Sequence, residues 1–106
     1  MEGTGDHRLN SATALAAYDD ASIQRGVRYA AEGRVTIVDL DDGWALADVQ
    51  GTRPEPYLTE ITWRDSPRGM LVTDICDCPL GGACKHAVAL LLTVMRQQAL
   101  SRTDHT

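Results

Sequence analysis

The chain has 106 residues, with 15 aspartates and glutamates against 10 lysines and arginines, a formal net charge of −5, three cysteines and no phenylalanine. That length suits one small domain with little aromatic core volume, where a metal staple is physically useful. The acidic balance removes much of the long-range attraction that a dedicated nucleic-acid binder uses, and the apolar run from Ala87 to Met95 is too short to span a bilayer.

Residues 1–10 are polar and glycine-bearing and read as disordered, and Ser11 to Tyr18 reads as a short helix. Residues 1–18 are therefore expected to be a flexible or partly helical lead-in, residues 19–100 the folded domain, and residues 101–106 a polar tail. Asp19 or Asp20 offers an N-cap for a helix over Ala21–Glu32, and Gly33 offers its stop. Gly26 inside that helix costs about 1 kcal/mol relative to alanine, which is read as the cost of close packing against a strand. Val35–Leu40 and Trp44–Val49 alternate as strands around the hairpin signal Asp41-Asp42-Gly43. Gly51–Pro56 is a loop. Tyr57–Trp63 and Gly69–Ile75 make a second strand pair, and the last strand leads straight into Cys76. The fold expected is α+β: an N-terminal helix, a small antiparallel sheet of about four strands, a knuckle that begins at Cys76 and a C-terminal helix.

The segment Cys76-Asp77-Cys78-Pro79-Leu80-Gly81-Gly82-Ala83-Cys84-Lys85-His86 holds every cysteine of the chain and a histidine two residues after the last of them. Three thiolates and an imidazole are a complete tetrahedral donor set for one structural zinc ion, with no position left for a reacting water. In an extended segment, residues two apart point to the same side, so Cys76 and Cys78 face one metal. Pro79, Gly81 and Gly82 turn the chain back. Cys84 and His86 then meet the metal where the apolar run Ala87–Leu92 starts a helix, whose N-terminus favours thiolate charge by about 0.3–1 kcal/mol. The rival readings are a disulfide with one free thiol, a Cys84–His86 nucleophile pair, inert core cysteines and an iron–sulfur cluster. The odd cysteine count, the missing third catalytic group and the polar neighbours weigh against the first three, and the usual all-cysteine ligation of clusters against the last.

The C-x-C-x5-C-x-H spacing followed by an apolar helix resembles the SWIM zinc finger. Upstream, Arg25-Gly26-Val27-Arg28-Tyr29, Gly33-Arg34-Val35, Val49-Gln50-Gly51-Thr52 and Tyr57 are similar to the segment that precedes the finger in bacterial SWIM proteins, so the resemblance covers about residues 20–98. It implies a DNA-binding or protein-binding module, found in regions of helicases, transposases, ubiquitin ligases and recombination mediators.

Two surfaces are candidates for partners. Arg25 and Arg28 lie three apart on one helix, and Arg64, Arg68 and Lys85 join them in a nucleic-acid face if loop and knuckle share that side. In the last helix Val88, Leu91, Leu92, Met95 and Ala99 are expected to face the sheet. Ala87, Leu90 and Val94 form a second stripe, either covered by the N-terminal helix or open to a protein partner. The reading is a non-catalytic interaction module with one structural Zn2+, bound to a protein partner or neighbouring domain in a nucleic-acid-processing context. The alternative is a DNA-binding domain with an arginine-rich face, its binding weakened by the acidic net charge. No membrane, no small-molecule substrate and no enzymatic role are expected. The absence of a secretory signal and the reduced cysteines point to the cytoplasm.

Overall fold

The Asp19 carboxylate accepts a hydrogen bond from the Ser22 amide at 2.7 Å and so starts helix α1, Asp20–Ala31. The computed structural model of the chain describes residues 14–67 and 69–104. Helix α1 closes where Gly33, at φ +71°, donates to the Ala30 carbonyl and Arg34 donates to the Tyr29 carbonyl. These are the two bonds of a Schellman stop. Strands β1 (Val35–Asp41), β2 (Trp44–Val49), β3 (Tyr57–Ser66) and β4 (Gly69–Cys76) follow, then helix α2 (Lys85–Asp104).

The strands form one antiparallel sheet in the order β1-β2-β3-β4. Asp41 pairs with Trp44, which leaves Asp42 and Gly43 as the turn, and Gly43 takes a left-handed φ of +73° that glycine adopts freely. The register slips between Ile37 and Asp39, where Val38 is bulged. Period-two burial sorts the sheet into faces. Ala45, Ala47, Val49, Thr59, Ile61 and Trp63 are buried on one side, where they join Ala87, Val88, Leu90, Leu91 and Val94 of α2 in the core. Both helices lie on this side, and α2 touches α1 and all four strands.

Several expectations need correcting. Gly26 meets helix α2, not a strand: a β-carbon there would run into the Val88 side chain and sit 3.0 Å from the Ala89 amide nitrogen. Val88, expected on the sheet, is thus the seat of α1. Ala87, Leu90 and Val94 are fully buried. The physical reason is that the first half of α2 is enclosed between α1 and the sheet, so the stripe of Ala87, Leu90 and Val94 is core; on the other stripe Val88 and Leu91 are buried, Leu92 and Met95 are half-buried and Ala99 is exposed. Helix α2 runs on through Ser101 to Asp104. Of the short helix expected over 11–18, residues 11–13 lie outside the described residues, as do residues 1–10, and Leu15 to Ala17 form a turn.

Gly26→Ala tests the helix contact. Overpacking costs about 1–3 kcal/mol, against a helix-propensity gain of about 1 kcal/mol. Because a backbone atom is among the neighbours, relief by a side-chain rotation is incomplete. The melting temperature is expected to fall, and a rise would show that the two helices stand further apart.

Candidate metal centre

Strand β4 ends at Cys76, and the chain then folds back on itself. The Cys76 amide donates to the Gly81 carbonyl at 3.0 Å, and the Gly81 amide donates to the Cys78 carbonyl at 2.9 Å. Gly81 at φ +77° and Ala83 at φ +50° make the left-handed steps of this turn. Cys84 then caps α2: its carbonyl accepts from the Val88 amide at 3.2 Å, and its sulfur accepts from the Ala87 amide.

The result is a cluster of Cys76, Cys78, Cys84 and His86, all buried, with every ligand atom within 4.8 Å of every other. The sulfurs of Cys76 and Cys84 each lie 3.7 Å from His86 Nδ1. A tetrahedral zinc ion, with bonds of about 2.3 Å to sulfur and about 2.0 Å to nitrogen, would set its sulfur and nitrogen ligands roughly 3.6 Å apart. The donor set therefore fits zinc, with Nδ1 as the ligating nitrogen. Among the described residues His86 Nε2, which would carry the ring proton with Nδ1 on a metal, is buried without a hydrogen-bond partner. The three thiols are free of disulfides.

Electrostatics makes the same demand. A hydrogen bond with Cys84, helped by His86, Thr59 and the Cys78 amide, holds the Cys76 thiol far below its ordinary value. The neighbouring Cys76 sulfur, with burial, holds Cys84 far above. Buried thiols this close cannot all ionise without a cation, and a divalent ion removes the conflict.

Around the ligands stand residues that the spacing argument did not pick out. Thr59, fully buried on β3, places Oγ1 3.3 Å from the Cys76 sulfur. The Asp74 carboxylate accepts from the Ala83 amide at 2.9 Å and from the Tyr18 hydroxyl, tying the knuckle to the chain before α1. Burial, with the Asp74 hydrogen bond, raises the Tyr18 phenol well above its usual range and keeps it a donor. A β-carbon at Gly82 would fall 2.5 Å from Asp74 Oδ1, so a side chain there would push the carboxylate away from the Ala83 amide. Asp77, between two ligands, accepts from the Leu58 amide at 3.0 Å and from Arg53 at 3.3 Å. Tyr57 stacks on the His86 ring at 4.3 Å between centroids, and Arg53 lies 3.9 Å over Tyr57 on its way to Asp77. Gly51 leaves room for that stack. Strand alternation was the usable signal for Asp74, which shares a side with Cys76. No sequence signal marks the Arg53–Tyr57–His86 stack.

Of the bases expected on one face, Arg64 is parted from Arg25 and Arg28. Arg25 and Arg28 are exposed on α1 and line one shallow depression with Ala21 and Gln24. Lys85 extends over Tyr29 of α1, 5.8 Å from the ring centroid. Arg64 points outward from β3, on the sheet face opposite the helices. Arg68 lies outside the described residues.

A closed set of three cysteines and one histidine at a strand end and a helix start defines a structural zinc-finger site. Residues 74–95, from the end of β4 through the knuckle into α2, match the sequence model of the SWIM zinc finger. Comparisons with curated proteins and with solved structures give no match. No described helix is long and apolar enough to cross a membrane.

Proposed function

We propose that the chain is a non-catalytic interaction module whose zinc is structural and whose main contacts are with protein, in a nucleic-acid-processing setting and in the cytoplasm. The observation that carries this reading is the closed, buried ligand set: every donor comes from protein, and Tyr57 and Gly51 roof the imidazole. Such a site holds a surface in shape and offers no open position for chemistry. The disposition of the bases favours protein over DNA. Arg34 pairs with Glu32 at 2.6 Å, Arg53 pairs with Asp77 at 3.3 Å, and Arg64 is on the far side of the sheet from Arg25 and Arg28. Free cysteines suit a reducing compartment.

DNA binding through α1 is the second reading, favoured by the shared depression of Arg25 and Arg28. A titration of the zinc-loaded chain with single- and double-stranded DNA across salt decides between them. Weak association is expected, with Kd no tighter than about 10⁻⁶ M at physiological salt and falling off steeply as salt rises. Tight binding that is lost in Arg25→Ala/Arg28→Ala would put the nucleic-acid reading first.

A further inference from the structure

Helix α2 covers one face of the sheet with α1 packed on it, and no described element covers the other face. Its residues form a grid that the strand register fixes. Across one row stand Asp41, Trp44, Thr62 and Thr73; across the next, Asp39, Leu46, Glu60 and Ile75; across the third, Thr36, Asp48 and Leu58. Leu58 is 48% exposed and Ile75 61%. Trp44 and Leu46 are half-buried, and the Trp44 indole donates to the Glu60 carboxylate. Apolar and acidic side chains therefore alternate over the face, with Asp39, Asp41, Asp48 and Glu60 against Arg64 at one corner. This is the reverse of the α1 side, where Arg25 and Arg28 stand.

Resting on the interaction-module reading above, we propose that the open sheet face is a docking surface for a cationic amphipathic segment of a partner protein. The apolar side chains of such a segment cover Leu46, Leu58 and Ile75, and its lysines or arginines reach Asp39, Asp48 and Glu60. Charge complementarity selects this occupant: nucleic acid is repelled by the carboxylates, and a second copy would place the same acids opposite each other. The half-exposed apolar residues supply the anchoring area and the surrounding carboxylates supply steering and register.

The test uses the full zinc-loaded chain and a fluorescein-labelled leucine–lysine helix-forming peptide, with a leucine–glutamate twin as control. Anisotropy is expected to show binding of the lysine peptide that weakens with salt, and none of the twin. Leu58→Ser/Ile75→Ser is expected to weaken it about tenfold, as loss of anchor side chains does, while zinc content and melting curve hold. Asp48→Asn/Glu60→Gln is expected to flatten the salt dependence, and Glu60→Gln keeps an acceptor for Trp44. Methyl resonances of Leu46, Leu58 and Ile75 should shift on binding. Equal binding of the twin, indifference to both double variants, shifts confined to Val27 and Leu92 in the groove between the helices, or self-association through this face would each overturn the proposal. Those outcomes leave the interaction-module reading standing; tight, Arg25- and Arg28-dependent DNA binding would remove that reading without touching the peptide result.

Discussion

Stripping zinc from the chain, or replacing Cys84 by serine, is expected to dissolve the knuckle and the first turns of α2. Cys84 serves two structures at once. Its sulfur completes the donor set, and its carbonyl and sulfur cap α2 through the Val88 and Ala87 amides. Loss of the metal leaves three buried sulfurs that cannot all stay ionised and an imidazole without its metal bond. Structural zinc contributes about 10–16 kcal/mol of apparent free energy in small fingers, against a net stability of about 5–15 kcal/mol for a typical domain. The loss should exceed what the rest of the core supplies. Acid acts in the same direction, because protons compete with the metal for thiolate and imidazole. The measurements are zinc content, far-ultraviolet circular dichroism and melting temperature, with Trp63 fluorescence as a report on the core beneath the sheet. A metal-free Cys84→Ser variant with an unchanged helical signal and melting temperature would show the site to be dispensable.

Leu90→Asp is expected to be nearly as damaging. As a surface substitution on a partner stripe it would have been silent for stability, but Leu90 has no exposure at all. Deleting a buried leucine side chain costs about 3–5 kcal/mol, and a carboxylate without a partner in its place adds several kcal/mol more or forces protonation. The sum approaches the whole stability of a domain this size. Leu90→Met, close to isosteric, is expected to cost less than about 1.5 kcal/mol, and Ile75→Ser on the open sheet face to change little. Denaturant titration of the three variants checks the order. A folded Leu90→Asp protein with bound zinc would mean that α2 is not enclosed as described.

The sequence carried the local structure well because each element is locally encoded. Asp19, Gly33 and the Asp42-Gly43 turn are punctuation with a mechanical cause, and the cysteine spacing allows few geometries. Period-two alternation placed strands β1 to β4 to within a few residues. The failures are all questions of what faces what. Helix α2 is apolar all round near its start, so its pattern could not say which stripe meets α1 and which meets the sheet; Gly26 against Val88 decides it. The arginines look alike in sequence, yet alternation on β3 sends Arg64 away from Arg25 and Arg28. The supports of the metal site were hidden for a different reason. Thr59, Tyr57 and Arg53 lie far from the ligands in the chain, and only the fold brings them to it.

The strand order has a kinetic consequence. Every strand pairs with its chain neighbour, so the sheet assembles from short loops with low closure cost. The distant contacts are those of α2 with α1 and with the first three strands, and of Tyr18 with Asp74, which lies next to the ligands. A chain refolding without zinc is thus expected to halt as a preformed meander with its helices undocked. Metal capture then becomes the step that commits it, and the observed folding rate should depend on how much free zinc is at hand.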